Sequence, residues 1–338
     1  MILRPKPALR HAFTLPGRTA DAPVLPVPNW LRRSVPDPQS LAGRDVEDVA
    51  LVAGAVLGAV DAVVRRQERW AGAWRQRLAL AAGAVTARQA GRIEDEAALR
   101  DAVLLTRSGD DVGPAGHLLL AWRRLASRPA EELLKEKSLV AVLEEFGYAG
   151  DDEAVSNLAD DLRQLAASDG AVGMMTDAIT TAERHGFART LGAWLADALL
   201  AQRLGWAYAM PLLGAEPVLG ISARPRRSVV SSVATGIESN PERAKSLLAA
   251  QARAALRAID LSAELERRAD RLLAVAPKLR AKAADAVVDK LLSDDAIVAS
   301  EKIAGISDRG LRRLFDRLAE FGAVRELSGR STFRIYGL

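Results

Sequence analysis

The last sixty residues constrain the fold of this chain more than any other stretch. Within 279–338, Ala284, Val287, Val288, Leu291 and Leu292 recur at helical intervals and give a first helix with one apolar face. Ser300 can cap a short second helix through Ile303 and Ala304, which Gly305 would end. Ser307 offers a fresh N-cap, with Asp308 in the first turn, where an acid meets the positive end of the helix dipole. Leu311, Leu314, Phe315 and Leu318 follow at i, i+3, i+4, i+7, and Gly322 stops that third helix. The segments AVREL (323–327) and STFRIYGL (331–338) read as two strands joined through Ser328, Gly329 and Arg330. Helix, short helix, turn, helix and hairpin is the order of a winged helix-turn-helix.

The other face of the third helix carries the functional signal. At about 100° per residue, Arg309, Arg313 and Arg317 form one row opposite Leu314 and Phe315, with Arg312 at its flank. Arg330 falls at the hairpin tip and Arg334 in the returning strand. A recognition helix and wing that enter grooves and touch phosphates need this distribution. A plainer reading stands beside it: Asp316 and Glu320 share the exposed face, and Arg312–Asp316 is an ordinary i, i+4 pair. A winged helix can also dock on a protein, so the fold does not settle the ligand.

Upstream, alanine-rich helical patterns dominate, and aromatic residues are only 4% of the chain, so the core is expected to be built by closely packed helices. Val46, Val49, Ala53, Val56, Leu57, Val60 and Val64 form an apolar stripe from Asp45 onward. Gly54, Gly58 and Ala62, four residues apart, would permit close helix–helix approach. Trp70, Trp74 and Leu78 continue the pattern, and the tryptophans, set among Leu and Ala, read as core. Further helices are expected near 93–106, 115–127, 131–146, 153–168, 171–185 and 187–204, with no strand-type alternation before 323. The fold class is all-α: a helical body followed by the winged helix-turn-helix with its small β-hairpin.

Domain boundaries follow composition. Residues 1–44 hold eight of the fifteen prolines, which deny helix and ladder hydrogen bonds, so an extended tail anchored by Trp30 and Leu31 is expected. The α-helical domain covers 45–210. Residues 211–240 read as a loop, basic at Arg224, Arg226 and Arg227. Connecting helices follow over 241–277: one starts at Asn240-Pro241-Glu242 and runs to about Ile259, and a second runs from Ser262 to Ala276. The winged unit covers 278–338.

The charge is uneven: +5 over 1–44, −5 over 45–270 and +4 over 271–338, a mildly acidic body with basic ends that suits an anionic partner there. The absence of cysteine removes disulfide and thiolate chemistry and fits a reducing cytoplasm. The charge-free run VALVAGAVLGAV (49–60) is too short to cross a bilayer as a helix, and residues 1–20 lack the apolar core of a secretory signal.

One polar region could carry chemistry. Between 70 and 124 lie Arg75, Arg77, Arg92, Glu94, Asp95, Glu96, Arg100, Asp101, Asp110, Asp111 and His117. Arg75, Arg92, Glu96, Asp110 and Asp111 would be its site if the fold gathered them, as carboxylates for acid–base work and arginines for an anion. Local chemistry explains the same residues: Glu96–Arg100 is an i, i+4 pair, acids at 94–96 suit a first helical turn, and 109–114 is turn-forming. His117 and His185 lack metal-ligand spacing, and no phosphate-binding glycine loop, GxSxG or HExxH is present. No cofactor or metal is expected.

The segments WAGAWRQRLAL (70–80), GRIEDEAALRDAVLLTRSGDDVGPAG (91–116), LLAWRRLA (119–126), LADALLAQRLGW (195–206), LLAVAPKLRAKAADAVVDKLL (272–292) and SDRGLRRLFDRLAEFGAVRELSGRSTFRIYGL (307–338) together resemble the domain of unknown function 1403 family. That resemblance implies a bacterial, non-secreted protein, often near plasmid or mobile-element genes, and implies no activity. GRSTFRIYG (329–337) also looks like the winged helices that end some Fic-type proteins, but the Fic catalytic motif is absent, so nucleotidyl transfer is not expected. The expectation is a non-enzymatic, cytoplasmic DNA-binding accessory protein whose partner is duplex DNA, with self-association or a protein partner at the helical body. One alternative is an interaction subunit of a DNA-maintenance complex. Another is an enzyme using the Arg92–His117 region.

Overall fold

A computed structural model describes residues 27–338 apart from 108, 169, 218–240, 280–283 and 331. The described chain is mostly helical. Its helices are α1 (Asn29–Ser34), α2 (Val46–Arg65), α3 (Ala71–Gln89), α4 (Glu96–Leu104), α5 (Gly113–Ser127), α6 (Glu136–Glu145), α7 (Asp152–Ala166), α8 (Ala171–Arg184), α9 (Arg189–Leu204), α10 (Pro241–Val275), α11 (Ala284–Ser293) and α12 (Asp308–Glu320). Three short strands, β1 (Ile297–Val298), β2 (Arg325–Glu326) and β3 (Ile335–Gly337), form a sheet of order β1-β3-β2.

The alanine content has a direct structural use. In α3, Ala79, Leu80, Ala82, Ala84 and Ala87 are all buried, so the middle of this helix is enclosed on nearly every side and lies inside the body. It packs on α4, α5, α10 and α11. The segment from Leu191 to Ala201 of α9 is buried just as continuously. Helices this enclosed need small neighbours: a Cβ at Gly192 would lie 2.7 Å from the Ile179 Cα of α8. Tryptophan supplies bulk and tie-points. Trp74 donates its indole N–H to the Ala258 carbonyl of α10, and Trp194 donates to the Ala121 carbonyl of α5. Five of the six tryptophans are buried; Trp30 is 60% exposed, so Leu31 anchors α1 and Trp30 does not.

Several expectations are corrected. Residues 241–275 form one helix, not two, because nothing near Ser262 breaks it, and Ser262 is buried in its path. At 35 residues it is roughly 50 Å long. Gly54, Gly58 and Ala62 of α2 face outward, because α10 takes the opposite face through Val49, Ala53, Val56 and Val60. The start of the expected 211–240 loop is core: Leu212 and Leu213 are buried, and Gly214 lies against the Trp122 ring. Arg224, Arg226 and Arg227 lie outside the described residues, as does the tail up to residue 26.

The C-terminal elements share one continuous apolar core with the body, running from Val27 to Leu338. Gly72 at the start of α3 permits the contact, since a Cβ there would lie 2.7 Å from the Ser293 backbone. Two local expectations change. No second helix forms at Ser300–Ala304; the chain makes only a turn there, with Gly305 at φ +84° and Ile306 donating to the Ile303 carbonyl. A strand not expected from sequence, β1, pairs with β3 through Ile297–Tyr336 and Val298–Ile335, which a two-residue segment cannot reveal by alternation.

Candidate nucleic-acid interface

Helix α12 is set by its cap and its apolar face. The Ser307 hydroxyl accepts from the Gly310 N–H at 3.2 Å. Leu311, Phe315 and Leu318 are fully buried, and Phe315 stacks on Tyr336 of β3 with ring centroids 4.5 Å apart. That anchoring turns Arg309, Arg312, Arg313 and Arg317 outward, and all four are exposed. None has a carboxylate within ion-pair distance among the described residues; Arg317 instead lies 5.6 Å over the Phe321 ring.

The arginines of the C-terminal hairpin behave differently. Arg330 pairs with Asp101 of α4 at 2.6 Å. Arg334 lies 3.6 Å from Asp316, which therefore faces the hairpin and not Arg312 as the i, i+4 spacing suggested. Arg330 is still 53% exposed. A pair that open to water is worth about 1 kcal/mol or less, so a phosphate can compete for it. A cleft of about 400 Å³ between α12 and the hairpin is lined by Arg312, Asp316, Phe333, Arg334 and Tyr336. Phe333 has φ +56° and is 65% exposed, an unusual posture for an aromatic residue that no sequence signal disclosed.

Sequence reasoning also missed a second basic group. Arg267, Arg268 and Arg271 of α10 meet Arg325 of β2 around a groove of about 270 Å³, with Glu264 as the acid in its lining. Burial pushes the Arg268 guanidinium down from its ordinary value, and the like charges of Arg325, Arg77 and Arg271 push the same way. The run RRADR (267–271) was the available signal, masked by the acidic average of the body.

A buried charge cluster holds these elements to the body. The Asp295 side chain is fully enclosed and pairs with Arg77 of α3 and, at 2.6 Å, with Arg100 of α4. Arg123 of α5 adds a third positive charge, and its Nε has no hydrogen-bond partner among the described residues. Burial alone would raise the Asp295 carboxyl, but the guanidinium charges outweigh it and hold the group below the usual carboxylate range. Arg100 is thus committed to Asp295 and not to Glu96.

The candidate polar site is not assembled. Arg92 lies 3.5 Å from Glu94. Asp111 accepts from the Gly113 N–H and faces His117 at 2.8 Å. Glu96 and Asp110 are exposed, and Asp95 caps α4 through the Ala98 N–H. Arg75 sits elsewhere, its Nε donating to the Ala126 carbonyl and its guanidinium 4.3 Å over the Tyr208 ring. No hydrogen bond or ion pair joins any two of Arg75, Arg92, Glu96, Asp110 and Asp111 among the described residues. His185 faces Asp161 at 3.0 Å. No group of three or more His, Asp or Glu among the described residues is placed to hold a metal ion.

The family model of the proteins of unknown function DUF1403 matches residues 18–338. The chain belongs to that family. The DUF1403 match spans the helical body and the C-terminal elements together, so the arginine row and the Asp295 cluster both lie within it. No curated protein and no solved structure matches this DUF1403 chain. Among its described residues no helix is long and apolar enough to cross a membrane.

Proposed function

We propose that this is a DNA-binding accessory protein whose C-terminal elements act as a winged helix-turn-helix. The order α11, β1, α12, β2, β3 and the strand order β1-β3-β2 support that fold, with a turn in place of the middle helix. The observation that carries the reading is the α12 surface: four exposed arginines without acidic partners, on a helix whose other face is locked in the core. A row of arginines free of ion pairs among the described residues suits a phosphate backbone, whose condensed counterions it displaces. In this reading Arg309, Arg312 and Arg313 face the groove or its phosphates, and Arg317, Arg330 and Arg334 hold backbone phosphates. A role in plasmid or chromosome maintenance, or in transcription control, is the setting in which such a protein would work.

A salt series tests it. Binding of the full chain to duplexes should weaken with a log–log slope of about −0.9 per phosphate neutralised. Arg313→Ala should cost about 1–3 kcal/mol if that side chain reads a base edge. No duplex binding above a millimolar-range background at low salt would refute the reading. A second reading, a winged helix that docks on a protein, is favoured by one feature: Arg330 and Arg334 already face the chain's own acids, Asp101 and Asp316. Capture of a protein in the absence of DNA, lost on Arg309→Ala or Arg313→Ala, would select it.

A further inference from the structure

Arg75, a member of the expected polar site, lies in a cleft. The cleft, of about 520 Å³, opens where the α2–α3 turn meets the segment after α9 and the end of α11. Its volume is in the range of small-molecule sites, about 300–1,000 Å³. Trp74, Trp206 and Met210 are buried and form an apolar floor. Tyr208 is 38% exposed, and its backbone is fixed by a bridge to Pro129. Arg75 lies against that ring, held through its Nε on the Ala126 carbonyl.

The Arg75 charge is unbalanced. No carboxylate lies within ion-pair distance of it, and its two Nη groups make no hydrogen bond among the described residues. Burial pushes the guanidinium down from its ordinary value. The Nη groups are the unused donors of this side chain, and the Nε bond and the Tyr208 ring fix where they lie. Arg65, also in the lining, pairs with Asp61 at 2.8 Å, so Glu68 is the acid the lining presents beside Arg75. Gln67, also in the lining, adopts φ +48° as the left-handed residue that ends α2, its N–H donating to the Val64 carbonyl.

We propose that this cleft binds a small organic anion, a carboxylate or a phosphate ester, attached to a planar apolar body. The Arg75 Nη groups take the anionic oxygens as a two-pronged donor. The body lies between Tyr208 and the Trp206–Met210 floor, and Ser293 of α11 closes the far side. The proposal does not depend on DNA binding.

Calorimetric titration of the full chain tests it with three probes of one shape: benzoate, phenyl phosphate and the neutral benzyl alcohol. At least one anion should bind, and about tenfold or more tighter than the alcohol, the ratio expected from hydrogen bonds to a charged group. Which anion binds tighter separates a carboxylate from a phosphate ligand. Arg75→Met should reduce the anions to the affinity of the alcohol, with Arg75→Lys intermediate. Tyr208→Ala should weaken all three probes, and it decides the matter if Arg75→Met fails to fold. No anion binding up to about 10 mM would overturn the proposal. So would equal affinity for alcohol and anions, or binding unchanged in both folded variants.

Discussion

Removing the Asp295 carboxylate is the sharpest test of how the C-terminal elements are held. Asp295 is the one acid in ion-pair contact with both Arg77 and Arg100, and its side chain has no solvent exposure, while those of Arg77 and Arg100 retain 16% and 9%. Asp295→Ala removes the carboxylate these charges share, leaving Asp294 as the acid acting on nearby Arg123. Breaking a buried pair from one side costs about 3–5 kcal/mol. Urea denaturation followed by circular dichroism would show this as a lower midpoint at similar slope. The pH dependence gives a second readout. Because the folded carboxyl titrates below its unfolded value of about 3.9, its contribution is complete above that pH and is lost as pH falls through the lower folded value. Asp295→Asn should therefore lose stability at neutral pH and show a shallower acid limb than wild type. A loss under about 1 kcal/mol in both variants would refute the argument that this carboxylate organises the cluster, since that is the size of an ordinary surface pair.

Leu314→Ala, which truncates a buried side chain of α12, should destabilise the protein by about 2–5 kcal/mol in the same assay. Gly214→Ala should lower the thermal midpoint, since the added methyl collides with the buried Trp122 ring, and overpacking of this kind costs about 1–3 kcal/mol. Asp197 is fully buried, accepts from the Leu212 and Leu213 N–H groups, and has its carboxyl pushed up to about 8 by burial. A folded value above the unfolded one means the native state holds the extra proton, so this group should make stability fall as pH rises from about 4 toward 8, and Asp197→Asn should flatten that limb. Under the proposed DNA-binding role, Arg330→Ala should flatten the salt dependence of duplex binding by about one unit of log–log slope and weaken all sequences alike.

Most of the helices were legible because burial imposes a 3.6-residue period on any helix with one wet face. The helices expected near 153–168, 171–185 and 187–204 are α7, α8 and α9. The cap at Ser307 and the stop at Gly322, which has φ +63°, were legible because both are local backbone requirements. The break expected within α10 was not there, since a serine such as Ser262 can signal an N-cap or sit quietly inside a helix, and only its neighbours decide. The i, i+4 pairs expected for Arg100 and Arg312 failed for a related reason: helical spacing gives an acid within reach, but Arg100 found a buried acid with a greater need for charge.

Most helices, the apolar face of α12 and the arginines opposite it were legible in the sequence. These depend on residues within a turn or two of one another, and periodicity and capping carry that information. Packing of distant elements was needed to show that Asp295 collects arginines from α3 and α4, that Arg330 meets Asp101, and that Arg75 lies on Tyr208 in a cleft. Those partners lie far apart along the chain, from 133 residues for Arg75 and Tyr208 to 229 for Arg330 and Asp101. No local pattern ranks one distant partner above another, and packing of the shared core selects among them.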